Sequence, residues 1–407
     1  MRPRATLDLR LASVAGGLTA LFLLVGRWSP ARLAGGQAPE IAMPRTWAAA
    51  GLVLLALLVP AGRIGRRPPG AGSVVGLLAV LFAWLLGATL YSPDPVGALP
   101  KAYEVLLLGA VVLALGRIAR FVPARALSDA LWRAMLVVTG ALALVAAASV
   151  STQGGRLAVL GGGPNVFGRN MGILALIALD RALRGRRAAV WGAVVVGAAM
   201  LTVLSGSRGA TIATAAGALV LLWVARVPLR RIVAVALVVA AVVAVVLAHT
   251  EVGHRAVRYV QERIVVLTLQ ERYLSGREFL YQRGLALVAA HPVSGGGLAS
   301  FRLLGLGVYP HNLFLELWCD GGVVAVGTFV AALAAAVASL RRRGWPDPLG
   351  SAVTAMFLVA AQVSGDLFDS RTLFVGLVLS AVAGGRRGRP DPGRGGRNRR
   401  TALGFVP

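Results

Sequence analysis

Residues 188–225 read AAVWGAVVVGAAMLTVL, then SGSR, then GATIATAAGALVLLWVA. Two apolar runs, 188–204 and 209–225, flank a very short polar turn whose single charge is Arg208. Each run is close to the length a helix needs to cross a hydrocarbon core of about 30 Å. Working outward, runs of the same kind recur near 11–26, 46–62, 73–90, 102–116, 134–150, 165–179, 231–248, 311–338, 349–365 and 371–385. Together they predict an all-α polytopic membrane protein of about twelve transmembrane helices. The composition agrees, with 57% of the 407 residues hydrophobic and 14% charged, too little charge to keep a soluble chain of this length dispersed. Ala, Val, Leu and Gly dominate the runs, and small residues let helices approach closely in lipid. The first run lacks the small-residue cleavage site of a signal peptide.

The net charge of +26 invites a nucleic-acid partner, but the placement of the charges argues against one. With twelve spans both termini share a side. That side holds 27 of the 42 basic residues and 5 of the 16 acidic ones. The basic side is cytoplasmic by the positive-inside rule, so the arginine clusters at 63–67, 184–187 and 341–343 set topology and meet anionic lipid. No nucleic acid is expected. The chain then divides into a transmembrane domain over 1–385, an outer-face loop over 250–310 inserted in it, and a basic, disordered cytoplasmic tail over 386–407. The single cysteine, Cys319, excludes an intramolecular disulfide and a cysteine-based zinc cluster.

The long outer loop is where function is expected. Residues 251–270 mix Arg and Glu with Val, Ile and Leu, as a helix lying at the interface does. Ser275-Gly276-Arg277-Glu278 fits a capping box, and the helix it opens runs to about Ala290, with Leu280, Gly284, Leu287 and Val288 on one face. His291-Pro292 ends it. Gly295-Gly296-Gly297 follows as a flexible or tightly turning segment.

Three outer segments carry candidate chemistry. Arg208, with Ser207 before it, starts the eighth span, where backbone amides and the helix dipole favour an anion and a guanidinium fork suits phosphate oxygens. It reads equally as an interfacial arginine snorkelling to headgroups. Arg277 occupies the first turn of the loop helix, as a second anion site or as a solvated charge. His311, followed by Asn312 at the entry of the tenth span, is one of four histidines and can serve as a general base or rest against a loop carbonyl. Gly161-Gly162-Gly163-Pro164-Asn165 lacks the Lys-Ser/Thr ending of a P-loop and reads as a turn into the sixth span. Asp366 and Asp369, with Arg371 nearby, suit either a divalent ion or helix capping. Glu104 and Glu316 lie near outer span ends, and nothing requires a metal or other cofactor.

These segments, taken in order, resemble the O-antigen ligase and polymerase (Wzy/WaaL-like) superfamily of bacterial membrane glycosyltransferases. The likeness runs through Gly163-Pro164-Asn165, Ser207-Arg208-Gly209, Ser275-Gly276-Arg277, His291-Pro292-Val293-Ser294-Gly295-Gly296-Gly297, His311-Asn312, Asp320-Gly321-Gly322 and Ser364-Gly365-Asp366, about half of the chain. It implies a GT-C-like fold in the bacterial cytoplasmic membrane. The donor would be an undecaprenyl-diphosphate-linked glycan, transferred without a metal to a glycan or lipid acceptor at the outer face. Carried over, Arg208 and Arg277 hold the diphosphate and His311 acts on the acceptor hydroxyl. Asn312, Ser207, Asp320 and Asn165 would support them, Asp320 standing where the family often has glutamate. A lipid-linked oligosaccharide flippase is the rival from another class. Such ion-coupled transporters keep ionisable groups at mid-membrane, and no span shows one at its centre.

Overall fold

The computed structural model describes residues 3–25, 43–59, 71–148, 152–153, 156–159, 163–185, 187–250, 277–306, 309–343 and 347–382, with residues 254, 257 and 261 between them. The expected interface helix over 251–270, the Ser275 end of the capping box and the basic tail lie largely or wholly outside the described residues.

Thirteen α-helices make up almost all of it. They are α1 (Pro3–Leu24), α2 (Pro44–Leu58), α3 (Ala71–Gly87), α4 (Pro95–Ile118), α5 (Ala124–Ala148), α6 (Pro164–Arg184), α7 (Ala188–Leu204), α8 (Arg208–Ala225), α9 (Leu229–His249), α10 (Arg277–Ala290), α11 (Leu313–Arg343), α12 (Pro348–Ala360) and α13 (Arg371–Val382). A two-residue antiparallel pair, Thr152–Gln153 with Arg156–Leu157, precedes α6, and a 3-10 turn spans Ser300–Leu304. Each expected apolar run carries a helix, and α10 is the helix expected in the long loop. Among the described residues five stretches are long and apolar enough to cross a membrane: Leu7–Leu24, Pro95–Ile118, Ala124–Ala148, Arg208–Ala225 and Leu313–Arg343. The chain is an all-α membrane protein.

Local sequence explains the starts. Proline at the first turn, where an amide would have no partner, opens α2, α4, α6 and α12. Asp94 and Asp347 cap α4 and α12 by accepting from Gly97 and Gly350 at 2.8 and 2.9 Å. Two helices sit at the centre. In α13 nearly every residue is buried, and in α6 all of Phe167 to Ala178 is. A helix buried all round is a core helix, and α13 packs on α3, α4, α11 and α12.

One helix departs from expectation. The tenth span was read as continuous, but Gly322 in α11 has φ 66° and ψ −163°. The loop after α10 fills the break. The Gly296 amide and the Ser300 hydroxyl donate to the Cys319 carbonyl at 2.7 and 3.0 Å. Trp84 Nε1 donates to the Gly321 carbonyl at 2.8 Å, and the Val323 amide to the Pro292 carbonyl at 3.0 Å. Backbone groups freed inside a membrane protein must find such partners. A Cβ on Gly322 would strike the Val293 carbonyl oxygen, so glycine is needed for space as well as for φ. The triple glycine is therefore a fitted plug: Gly295 and Gly297 also have positive φ, and Gly297 lies against Ser92.

Candidate active site

The helices α6, α8, α10, α11 and α13 all begin at one end of the bundle, here called the head. Contacts between their first turns establish this. Ser205 and Ala210 abut Gly168 of α6. Gly209 of α8 abuts Val363 and Ser364, which lead toward α13. Leu313 of α11 donates its amide to the Ala361 carbonyl at 2.8 Å. Tyr281 of α10 and Asn312 before α11 both donate to the Gln362 carbonyl at 3.3 Å. Five helix N-termini, each with orphan amides and a positive dipole end, thus converge on one region.

Arg208 is the first residue of α8, and Arg277 is the first described residue of α10. The turn before Arg208 is tightly held. Gly206 takes φ 70°, the Ser207 amide donates to Ser205 Oγ at 3.3 Å, and Ser207 Oγ accepts from the Ala210 amide at 3.2 Å. Ser207 is therefore an N-cap. Arg277 is half-buried. Burial pulls its pKa down, Tyr281 and Tyr309 act the other way, and the like charges of Arg208 and Arg156 pull it down further. The two arginines expected to act together are electrostatic neighbours, and Arg156 joins them.

His311 stands between Arg277 and the segment before α13. Its φ is 60°, a backbone conformation that is uncommon without glycine and that is held where the surroundings fix it. The Tyr309 ring meets its imidazole edge-on at 4.7 Å between centroids. Nδ1 is buried and meets no hydrogen-bond partner among the described residues. Burial lowers the histidine pKa below its usual value, the Arg277 charge lowers it further, and Asp369 acts in the opposite direction. The outcome is a neutral imidazole beside cations, the form a proton acceptor needs. Asn312 Oδ1 accepts from the Leu315 amide at 3.0 Å, capping α11 and fixing the chain just after the histidine.

Asn165 and Asp320 take different places. Asn165 Oδ1 accepts from Arg156 at 2.8 Å at the start of α6, within the head. Asp320 lies two turns into α11. Its carboxylate and that of Glu316 each come within 2.5 Å of Lys101 Nζ. It ties α4 to α11. Asp366 closes the turn before α13, and Asp369 forms an ion pair instead of a cap. Asp366 Oδ1 accepts from the Asp369 amide at 2.7 Å, and Asp369 pairs with Arg169 at 3.1 Å. Arg371 is buried and donates to the carbonyls of Phe22 and Leu23 at 2.9 Å, satisfying the end of α1.

Arg156, Tyr281, Arg169 and Lys101 were not singled out from the sequence. Arg156 is a lone charge in a glycine-rich stretch, and its bonds to the Ser205 carbonyl and Asn165 join residues distant in sequence.

Residues 192–330, about a third of the chain, match the family model described as O-antigen ligase (Wzy_C). The resemblance drawn from the ordered motifs is borne out over that segment, which holds Arg208, Arg277, His311, Asn312 and Asp320. No curated protein matches the chain.

Proposed function

We propose that this chain is a glycosyltransferase of the O-antigen ligase or polymerase type, taking a glycan from an undecaprenyl-diphosphate carrier. The observation that carries the proposal is the nearness of Arg208, at a helix start, and Arg277, in α10, to a half-buried His311 whose pKa burial and the Arg277 charge lower. That arrangement suits one reaction class. An acceptor hydroxyl attacks the anomeric carbon, the bond from that carbon to the diphosphate oxygen breaks, and the electron pair leaves on the diphosphate. The hydroxyl proton passes to the His311 imidazole. Negative charge grows on the leaving group, and guanidiniums and amides preset around it bind it most tightly in the transition state. No step calls for a metal.

The same proposal places the head on the outer face of the bacterial cytoplasmic membrane, with twelve spans in a GT-C-like arrangement and both termini cytoplasmic. The arginine-rich ends of α6 and α11 support it, since both lie at the end opposite the head and the basic side faces the cytoplasm. The long 250–310 loop, α10 included, is then the outer domain, and the acceptor is a glycan or lipid.

A lipid-linked oligosaccharide flippase also finds support in a specific feature, because broken helices and buried charges mark many transporters. Here the break at Gly322 is filled by the plug, and Lys101 is locked between two carboxylates. The deciding experiment is reconstitution in liposomes with an undecaprenyl-diphosphate glycan pool, comparing wild type with His311→Ala and Arg208→Ala. Release of undecaprenyl diphosphate with a new glycosidic bond, lost in both variants, is the expected result. Movement of carrier between leaflets without bond formation refutes the transferase.

A further inference from the structure

Two side chains from different elements meet at one backbone oxygen in the head. Tyr281 Oη of α10 and Asn312 Nδ2, just before α11, both donate to the Gln362 carbonyl at 3.3 Å. A carbonyl oxygen has two lone pairs and can take both donors. Gln362 lies just past the end of α12 at Ala360. Its amide donates back to the Val359 carbonyl at 3.1 Å and its Nε2 to the Leu358 carbonyl at 3.0 Å, so the acceptor is itself held. The last carbonyls of a helix have no partner within it, which leaves those of Ala361 and Gln362 to other elements.

What these carbonyls hold is the chain around His311 and the helix that carries Arg277. Asn312 and Leu313 follow His311 directly, and Leu313 donates its amide to the Ala361 carbonyl at 2.8 Å. Asn312 is fixed at its other end as well, because Oδ1 accepts from the Leu315 amide at 3.0 Å. Tyr281 stands one turn after Arg277 on the same face of α10, since residues four apart in a helix are neighbours. Further along α10, Gly284 abuts Leu315 of α11, and its carbonyl accepts from Cys319 Sγ at 3.5 Å. The later half of α10 is thus seated on α11 by packing, and the Tyr281 hydroxyl ties the earlier half to the carbonyl that also holds Asn312.

We infer that Tyr281 is a positioning residue for glycan transfer: through the Gln362 carbonyl it sets the place of the Arg277 turn relative to His311. The inference rests on the transferase reading above, in which Arg277 holds the diphosphate and His311 takes the acceptor proton. Leaving group and nucleophile must then keep a fixed separation across the anomeric carbon, and small misplacements around a reacting centre slow the chemical step. Tyr281 does this without touching substrate.

The test is transfer by the full-length protein in liposomes with an undecaprenyl-diphosphate glycan pool. The release of undecaprenyl diphosphate is followed over a range of carrier concentrations, and thermal unfolding of each variant is read in parallel. Tyr281→Phe keeps the ring and removes only the hydroxyl. Its saturating rate should fall about two- to fivefold, the lower range for one hydrogen bond, with the half-saturating concentration and the thermal midpoint unchanged. Asn312→Ser keeps a capping oxygen for Leu315 but gives up the amide donor, and should lower the saturating rate as well. Adding Tyr281→Phe to Asn312→Ser should cost less than Tyr281→Phe alone, because either break opens the same joint. A wild-type saturating rate in Tyr281→Phe overturns the inference. So does a loss confined to half-saturation, which marks a substrate contact, or one that follows a lowered thermal midpoint, which marks a structural staple. Fully additive losses overturn it too, because the two side chains then act independently. If wild type forms glycosidic bonds and Tyr281→Phe keeps pace, only the role of Tyr281 falls. If wild type forms none, the transferase reading falls and takes this inference with it.

Discussion

Lys101→Met is the substitution with the most sharply defined expected cost. Lys101 Nζ lies 2.5 Å from both Glu316 Oε1 and Asp320 Oδ2, and the two carboxylate side chains are 1% and 2% exposed. Solvent screening is therefore slight. The group holds one cation between two anions, and removing the cation leaves both anions facing each other in the bundle. Both Glu316 oxygens and Asp320 Oδ1 are buried without a hydrogen-bond partner among the described residues, so both carboxylates lose their compensation. Breaking a buried pair by deleting one partner costs about 3–5 kcal/mol, whereas replacing all partners together is often close to neutral. Lys101→Met should therefore lose about 3–5 kcal/mol. The triple variant Lys101→Met, Glu316→Gln, Asp320→Asn should recover most of that loss, a coupling that additive single effects cannot produce. The assay is equilibrium unfolding of purified protein in detergent micelles, followed by tryptophan fluorescence and retention of the monodisperse species. A Lys101→Met protein within about 0.5 kcal/mol of wild type, the scatter of surface substitutions, would refute the buried-triad argument.

Three further outcomes are expected. The acid limb of the transfer rate should have its midpoint below the ordinary histidine pKa of about 6.5, because the neutral His311 is the working form; Arg277→Gln removes a neighbouring cation and should move that midpoint upward, and Asp369→Asn should move it downward. Normalised single-turnover pH profiles read both shifts. Gly322→Ala should sharply reduce the yield of folded protein on size exclusion, because its φ of 66° and the Val293 carbonyl both oppose a Cβ. Arg371→Met strips the Phe22 and Leu23 carbonyls of their donors and should cost about 2–6 kcal/mol in the same unfolding assay, at about 1–3 kcal/mol per orphaned group.

The helices were readable because each is a run of Ala, Val, Leu and Gly that only a bilayer or a core accepts, and the end of α10 at Ala290 was readable because His291-Pro292 halts the helix. The same local logic placed Arg208 at a helix start. What escaped were the features decided by distant partners. Lys101 meets carboxylates more than two hundred residues away, and nothing near it in sequence announces them. Gly321-Gly322 within an apolar run is compatible with close helix packing as well as with a break. The choice falls to residues 292–300, which bring donors and an acceptor to the opened turn. The twelfth helix ends at Ala360, short of the expected 365, because Gly365 at φ 85° and the Asp366 turn must bring Asp369 to Arg169.

The gathering of five helix starts at the head follows from an up-and-down bundle, in which every second helix begins on the same side. What this chain adds is the choice of first residue. Arg208 and Arg371 each stand at the first position of a helix, and Arg277 is the first described residue of another, where the dipole disfavours a cation. For Arg371 the conflict is resolved inside the protein, since its nitrogens meet the carbonyl end of α1, a site that welcomes positive charge. Arg208 and Arg277 lie beside one another and beside Arg156, so in them the dipole and the guanidiniums reinforce a single positive field. A field of that sign favours a bound anion. In the reaction proposed above, the departing diphosphate would be that anion, and the field would act most strongly in the transition state, where the negative charge is greatest.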